Sequence, residues 1–529
     1  MNNLLVVPLL IPLCTAVLLV FLKERVKAQR WISLVSGLLN VAAACCILVQ
    51  VKTEGIQTLY MSGWAPPYGI IFVADMLAAL LVLATAIIGV FCLVYSFRTI
   101  GGERERHYYY PLFQFLLVGV LGSFLTGDIF NLFVCFEVML ISSYALIVLG
   151  GTKPQLRESI KYMLINIISS ALFVAAVAYL YGVTGALNMA DLSARVADAG
   201  QGGILNVIAL LFMIVFALKA GLFLFFWLPG SYGAPPAAIR AIFAALLTKV
   251  GLYALLRTFT LIFYNDPSVT HSWIGWMAGA TMVLGAIGAL AYKDIPRILN
   301  YNVIISVGFI AFGLAAFNKD SLDGAVFYLL HDMIAKALLF ILGGMIIAAA
   351  GTSKLSEMGG LIKKHPVLGW MFFVTALSVA GIPPFSGFAG KLLIIRGGFE
   401  AEQYALAAIS VASSFVVLYS LFRLFMAAFW GSERSAVFLK KTAAEGMDTD
   451  EAGAIKESAA KEFAIKKSVS KENKGKLSLL ALAPGAGLLV LVIGIGLGAE
   501  WVYALVTDAG ETLVRPSIYV DAVLKGWER

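Results

Sequence analysis

Several ionisable side chains of this sequence lie deep inside long apolar runs. A charged side chain at the centre of a membrane helix costs roughly 2.5–3.5 kcal/mol on insertion scales, so residues of this kind indicate functional sites. His331 is the only one of the four histidines that falls within an apolar run. The full set is Glu137, Lys219, Lys249, His331, Asp332, Lys336 and Lys391.

A series of such groups joined by water could carry protons, because a lysine beside a mobile carboxylate can switch between its charged and neutral forms. Glu137 is the only acid deep within an apolar run between residues 104 and 265, so it is the expected partner of Lys219. Lys249 would pass the proton on towards the second half of the chain. The predicted relay residues are Glu137, Lys219, Lys249, His331, Lys336 and Lys391.

Structural roles are the alternative for these residues. A buried Glu–Lys pair can be a structural ion pair, His331 can be a hydrogen-bonded core residue, and Asp332 can serve to hold His331 or Lys336. The excess of lysines over acids at mid-depth favours transport chemistry over a purely structural set. Long side chains nearer the span ends are expected to extend to the membrane surface. The charged residues there are Asp75, Arg257, Arg396 and Arg423.

Composition places the chain among polytopic membrane proteins. Of its 529 residues, 60% are hydrophobic and 13% are charged, whereas soluble proteins have about 25% charged residues. The net charge of +8 is expected on cytoplasmic loops and does not indicate nucleic-acid binding. The five cysteines lie in apolar runs without zinc or redox spacing, and the sequence contains no phosphate-binding loop or dinucleotide motif. We therefore expect no cofactor and no metal site, and an energy source in an ion gradient or a partner.

The apolar runs that are long enough to cross about 30 Å predict fourteen transmembrane helices in an all-α polytopic fold. The third of them is predicted over 70–97. Basic residues fall on alternate loops, which the positive-inside rule assigns to the cytoplasm. With an even number of helices, both termini are expected outside a bacterial cell membrane. The predicted organisation is helices 1–3 in residues 1–100, a five-helix repeat in 104–265, a second in 270–430, a charged cytoplasmic linker in 431–476, helix 14 in 477–506 and an external tail in 507–529.

An internal repeat relates helices 4–8 to helices 9–13 at one constant spacing along the chain, that between Asp128 and Asp294, which we call the repeat offset. The matches at this offset are Asp128-Ile129 with Asp294-Ile295, Tyr162 with Tyr328, Gly185 with Gly351, and LYALLRTF from Leu252 with LYSLFRLF from Leu418. Because five is odd, the two copies must cross the membrane in opposite directions. Inverted repeats of this kind are common in secondary transporters.

Each repeat also contains a helix that is interrupted by proline and glycine. Helix 7, predicted over 204–228, runs into Pro229-Gly230 and Pro235-Pro236, and helix 12, predicted over 366–396, contains GIPPFSGF at 381–388. Proline removes a backbone donor, so the carbonyls that it frees must be satisfied inside the protein or by water. A break within a span is typical of a cavity wall, and a simple kink or helix end is the alternative.

In combination these features resemble the antiporter-like subunits of respiratory complex I, membrane-bound hydrogenases and Mrp-type Na⁺/H⁺ antiporters. The likeness is carried by Glu137 in helix 5, the lysines of helices 7 and 8, HDMIAKALLF in helix 11 and GIPPFSGFAGK in helix 12. Within that group the sequence looks above all like the D subunits of Mrp-type multisubunit antiporters. This second likeness is carried by MNNLLVVPLLIP, TGDIFNLFVCFEVMLISSYALIVLGG and LLHDMIAKALLFILGG.

The resemblance implies that the six relay residues form a hydrated axis, and that the protein works only with partner subunits of the A, B, C, E, F and G types in the lipid bilayer. It implies a secondary transporter subunit, not an enzyme, that exchanges internal Na⁺ for external H⁺ in pH homeostasis. Whether Na⁺ crosses this subunit or another one stays open. The alternatives are a proton-pumping membrane module of a redox-driven complex, and a non-transporting scaffold, which the intact midspan charges disfavour.

Overall fold

The computed structural model describes residues 2–431 and 479–524, which are almost entirely helical. We label the long helices to follow the predicted ones: α1 (Val7–Phe21), α2 (Val26–Glu54), α3 (Met76–Thr99), α4 (Tyr110–Leu125), α5 (Ile129–Val148), α6 (Lys153–Thr184), α7 (Ile204–Ala220), α8 (Ala237–Leu261), α9 (Pro267–Ala291), α10 (Ile295–Ala316), α11 (Lys319–Ala350), α12a (Pro366–Ala380), α12b (Ser386–Glu400), α13 (Tyr404–Phe429), α14a (Leu479–Leu497), α14b (Ala499–Val514) and α15 (Pro516–Leu524). A connecting helix, Met189–Ala199, lies between α6 and α7. Short helical turns occur at Asn3–Val6, Met61–Gly63, Gly102–Arg104, Glu105–Tyr109, Leu228–Ser231, Leu355–Glu357 and Leu361–Lys364. The predicted linker, 431–476, lies outside the described residues apart from residue 431.

Among the described residues, eleven helices are long and apolar enough to cross a membrane, and the bent pair of α14a and α14b would make a twelfth. The multi-pass prediction is therefore confirmed. The difference from fourteen lies in the two broken helices, because α7 and α12a have only 17 and 15 residues. A broken helix leaves pieces shorter than the roughly 20 residues that span a bilayer, so the exact count stays a prediction.

The most deeply buried long helices are α8 and α10, and α11 packs against both of them. In the most apolar 18-residue stretch of each helix, 94% is buried in α8 and α10 and 72% in α11, whereas only 33% is buried in α1, α2 and α13. The contact between α8 and α11 joins the first half of the chain to the second. Because α8 and α11 also carry charged residues, those charges are held away from the lipid.

The start of predicted helix 3 is wrong. Residues 70–75 were expected to be helical, but Ile71–Ala74 forms a strand, β2, that pairs antiparallel with β1 (Gln57–Tyr60). A short apolar run cannot be assigned to helix or strand from periodicity alone, and β-branched residues favour strands. The helix begins only after Asp75, whose carboxylate accepts the Ala78 N–H at 2.9 Å as an N-cap.

The break in helix 7 lies earlier than predicted. The helix ends at Ala220 and not near residue 228, because Gly221 adopts a left-handed conformation with φ +75°. Lys219 therefore occupies the last turn of the helix instead of its middle. In helix 12 the break falls where it was predicted: α12a ends before Gly381, which has φ +86°, and α12b begins at Ser386.

The C-terminal prediction of one helix and a tail needs correction. The span breaks at Gly498, where α14a and α14b meet at 80°. Residues 507–524, expected to be a tail, continue as α14b and then as α15, in which Tyr519 is buried. The bend was missed because glycine in an apolar run marks a helix break only when packing on both sides requires one.

The two five-helix stretches share backbone contacts at the repeat offset. Asp128 forms an isolated bridge with Asn188, and Asp294 forms the same bridge with Lys354. The amide of the following isoleucine donates across each bridge, at 2.9 Å in the first copy and 3.0 Å in the second. The opposite orientation of the two copies in a membrane stays a prediction.

Asp75 and Arg257 form a buried ion pair, where extension to the membrane surface was expected. Arg257 Nη1 and Nη2 each lie 2.8 Å from a carboxylate oxygen of Asp75. The guanidinium also lies 5.3 Å from the ring of Tyr253 and 4.9 Å from that of Tyr519. The expectation was wrong because Arg257 is buried inside the fold, where the ring of Tyr519 from α15 packs on its guanidinium.

The other two arginines near span ends differ from each other. Arg396 is 65% exposed and pairs with Asp320 at 2.7 Å, in agreement with an interfacial position. Arg423 instead donates to the carbonyls of Leu290 and Tyr292, at 2.8 and 2.6 Å. It thereby satisfies acceptors that the end of α9 leaves free.

We predict that Asp75→Asn lowers the free energy of unfolding by about 3–5 kcal/mol, because it leaves the buried Arg257 without its counter-charge. The matched control is the exposed pair of Lys52 and Asp508, whose side chains are 48% and 42% exposed. For Asp508→Asn we expect a loss of no more than about 1 kcal/mol. Thermal unfolding of the purified membrane protein measures both variants, and equal losses would contradict the prediction.

Candidate functional site

Glu137 and Lys219 meet through a serine on a third helix. Ser170 of α6 donates a short hydrogen bond from its hydroxyl to Glu137 of α5. Lys219 of α7 donates from Nζ to the same hydroxyl oxygen at 3.3 Å, and its ammonium lies 5.0 Å from the ring of Phe136. Lys219 is only 4% exposed. The predicted partners are thus brought together, but by a bridging hydroxyl and not by direct contact.

A second cluster places two lysines on one carboxylate. Lys249 Nζ of α8 lies 2.8 Å from Asp332 Oδ2, and Lys336 Nζ of α11 lies 3.2 Å from Asp332 Oδ1. All three side chains are at most 1% exposed. Lys249 also donates to the Ala244 carbonyl at 2.9 Å. The cluster joins α8 to α11 at the buried centre of the fold.

His331 contacts the break in helix 12 through a side-chain hydrogen bond. Its Nδ1 lies 2.7 Å from the hydroxyl of Ser386, the first residue of α12b. The Ser386 hydroxyl lies 3.5 Å from that of Ser378 in α12a. His331 Nε2 is buried and has no hydrogen-bond partner in the described residues. The imidazole stacks on Tyr328 with ring centroids 5.6 Å apart.

Lys391 fills the break itself. Its Nζ donates to the carbonyls of Val379 and Ala380, at 3.1 and 2.9 Å, and to the Ser414 hydroxyl at 3.2 Å. It also lies 4.8 Å from the ring of Phe309. Carbonyls at a helix end need partners inside a membrane, and here an ammonium group supplies them.

Glycines let the helices that carry these residues approach closely. A Cβ on Gly251 of α8 would lie 2.6 Å from the backbone nitrogen of Ala220, beside Lys219. A Cβ on Gly390 of α12b would lie 2.8 Å from the backbone nitrogen of Tyr328. Both distances are shorter than a real Cβ contact, so only glycine fits without movement of a neighbouring helix.

The predicted order of the residues is not fully reproduced. Lys249 pairs with Asp332, and no hydrogen bond or ion pair of the described residues joins it to Lys219. Asp332 was not among the predicted relay residues, yet its carboxylate binds two of the predicted lysines. Ser170 and Ser386 were missed, since a serine in an apolar run has no charge to mark it. One signal was available for Ser170, because the repeat offset aligns it with Lys336.

Metal binding has no support from the described residues, where no group of three or more His, Cys, Asp or Glu side chains could hold an ion. The chemistry that the arrangement allows is proton binding and release on nitrogen and carboxylate oxygen. The clusters contain proton donors and acceptors in contact, and they are shielded from lipid.

Comparison with known proteins places the chain in a family. The family model described as NADH:quinone oxidoreductase/Mrp antiporter, TM matches residues 126–416, a range that includes all six predicted relay residues. A Bacillus subtilis (strain 168) protein, named as the D subunit of an Na(+)/H(+) antiporter, is 49% identical over 99% of this chain and 100% of its own length. This chain belongs to the family of Na⁺/H⁺ antiporter D subunits. The family is one of transporter subunits and not of classical enzymes.

Solved structures of other proteins share the fold of this D subunit. A chain of the Mrp complex from Dietzia sp. DQ12-45-1b matches with a TM-score of 0.86 and 29% identity, covering 99% of this chain and 100% of that one. A chain of the membrane-bound sulfane sulfur reductase, an archaeal respiratory membrane complex, matches with a TM-score of 0.85 and 28% identity over the same shares. The fold thus occurs in both an antiporter complex and a respiratory complex.

We predict that Asp332→Asn lowers the free energy of unfolding by about 3–5 kcal/mol, because two buried lysines lose their shared counter-charge. Asp320→Asn is the matched control on the same helix, since Asp320 pairs with an arginine that is 65% exposed. A loss of at most about 1 kcal/mol is expected for the control. Thermal unfolding in detergent decides, and a stable Asp332→Asn protein would refute a required ion cluster.

Proposed function

We propose that this chain is a proton-translocating subunit of a multisubunit Na⁺/H⁺ antiporter, in which proton entry drives sodium efflux and pH homeostasis. Its main support is the oriented pair of hydrogen bonds at Ser170. Lys219 donates to the serine oxygen, and the serine hydroxyl donates to Glu137. The ion class is supported by the Bacillus subtilis relative, which is named an Na(+)/H(+) antiporter subunit.

A proton moves along this pair when Lys219 gives one to the Ser170 oxygen and Ser170 gives its hydroxyl proton to Glu137. The step leaves Lys219 and Glu137 neutral, and its reversal restores both charges. Because donor, hydroxyl and acceptor are held in contact, no group has to diffuse before the transfer. We call the relay residues of the first repeat the first half-channel and those of the second repeat the second half-channel. Ser170 thus bridges Lys219 and Glu137 in the first half-channel.

The cluster of Lys249, Asp332 and Lys336 forms the next station. With both lysines protonated the cluster carries one excess positive charge, and release of one proton leaves a matched ion pair. The cluster can therefore hold and release a single proton at the junction of the two halves. His331 and Lys391 extend the axis to the break in helix 12. Water completes the links that the side chains do not make directly.

The proposed architecture has fourteen spans with both termini outside, and two inverted five-helix repeats, α4–α8 and α9–α13. Matching bridges at the repeat offset support this arrangement. The segment 431–476 is the proposed cytoplasmic linker of a bacterial cell-membrane protein. The partners are subunits of the A, B, C, E, F and G types, with Na⁺ crossing through this subunit or through another.

The second candidate is a proton-pumping membrane module of a redox-driven complex. It is favoured by the TM-score of 0.85 to a chain of an archaeal respiratory membrane complex. Both candidates use the same proton chemistry and differ in their partner subunits.

Glu137→Ala and Lys219→Ala are each expected to abolish Na⁺-driven ΔpH in everted vesicles while the complex still assembles, because each removes a proton carrier. A pH-sensitive dye measures exchange, and co-purification of the partner subunits measures assembly. Normal exchange by either variant would refute the proposed proton relay.

Ser170→Ala should reduce exchange by about 10²-fold, in line with the loss of one positioned proton-transfer group. Ser169→Ala is the matched control, since among the described residues the hydroxyl of this buried neighbour makes a single long hydrogen bond, of 3.4 Å, to the Val215 carbonyl. It should exchange at the rate of the unmodified protein. Equal rates for the two variants would refute the bridging role of Ser170.

Affinity purification of the intact complex separates the two candidates. We expect six further membrane proteins and no flavin or iron–sulfur absorption. Co-purification of iron–sulfur or flavin subunits would replace the antiporter by the redox-driven pump.

A further inference from the structure

The C-terminal helix α14a touches the break in helix 12. It packs against α3, α11, α12a and α12b, and Gly496 lies near its end, just before the bend at Gly498. A Cβ on Gly496 would lie 2.6 Å from the Pro384 carbonyl oxygen and 2.7 Å from the Ser386 nitrogen. These distances are shorter than real Cβ contacts, and both partners are backbone atoms. A larger residue therefore has to displace one backbone or the other.

Movement of the C-terminal segment is opposed on both sides of its bend. In α14a, Gly487 lies directly against the ring of Phe91. In α14b, Gly510 leaves room for the buried carboxylate of Asp323 from α11, and the Thr507 hydroxyl lies 3.4 Å from the same carboxylate. Because α14a and α14b are held at these points, a larger side chain at position 496 would displace residues 381–385 and not the C-terminal segment. Those residues connect two helices without being helical themselves.

The residues at and beside this break position two of the relay side chains, His331 and Lys391. Ser386 starts α12b and holds His331 Nδ1 at 2.7 Å. The carbonyls of Val379 and Ala380, immediately before the break, hold Lys391. A shift of the Phe385–Ser386 peptide therefore changes the contact of His331 first, because Gly496 lies on the nitrogen of Ser386 itself.

We propose that Gly496 is a positioning residue for proton transfer in the second half-channel: the close approach of α14a at this glycine sets the place of Ser386 opposite His331. The inference rests on the proposed antiporter function. It assigns the C-terminal helix, which lies outside both repeats, a part in the relay.

The test is Gly496→Ala in the complete antiporter, assayed as Na⁺-driven ΔpH in everted vesicles. We expect exchange to fall about ten-fold or more, since displacements of about 1 Å can cost up to 10²-fold in rate, and we expect its pH profile to shift. Gly494→Ala is the matched control two residues earlier in the same helix, because a Cβ there would meet no atom of the described residues within 4 Å. It should exchange as the unmodified complex does.

Ser386→Ala separates positioning from general loss of stability. If Gly496 acts through Ser386, the double variant Gly496→Ala/Ser386→Ala should exchange no more slowly than the slower single variant. Additive losses, or normal exchange by an assembled Gly496→Ala complex, would overturn the proposal. Should Gly496→Ala not assemble, Ser386→Ala alone decides: a normal rate and pH profile overturn the proposal, and a slow, shifted one supports it. Absence of exchange in the unmodified complex would instead refute the antiporter function.

Discussion

A charge that is buried among apolar helices has to be paired, and here one carboxylate meets that requirement for two lysines. Asp332 contacts Lys249 on α8 and Lys336 on its own helix, and all three side chains are almost fully buried. Loss of the carboxylate would leave both lysines without a counter-charge in a medium that solvates charge poorly. Because α8 and α11 belong to different halves of the chain, this pairing also determines how the halves meet.

The two broken helices show how polar backbone groups are kept inside the bundle. Both α7 and α12a end at a left-handed glycine, and the amide that follows each glycine reaches one carbonyl, of Ala217 or Leu377. The remaining carbonyls find different donors. Trp227 Nε1 binds the Leu218 carbonyl at 3.1 Å, whereas Lys391 binds two carbonyls at the end of α12a. The same backbone arrangement therefore has its free carbonyls bound by an indole N–H at the first break and by an ammonium group at the second.

The same divergence runs through the repeat. Backbone bridges recur at the repeat offset, but Ser170 occupies the place of Lys336, and Asn166 occupies that of Asp332. The first copy consequently has a neutral bridge between Glu137 and a lysine from another helix. The second copy has charges on the bridging helix itself. Equivalent backbones thus support two unlike arrangements of proton-carrying groups.

The sequence by itself determined the membrane class, most helix limits, the break in helix 12 and the six ionisable candidates. These depend on local properties, namely the length of an apolar run, the position of proline and glycine, and the cost of a charge in lipid. Only the tertiary structure decided that α7 ends at Gly221, that residues 71–74 form a strand and that the last span bends at Gly498. It alone also paired Lys249 with Asp332, and Arg257 with Asp75 across 182 residues. Apolar runs are alike in sequence, and which polar groups meet depends on how the helices pack, which no single run contains.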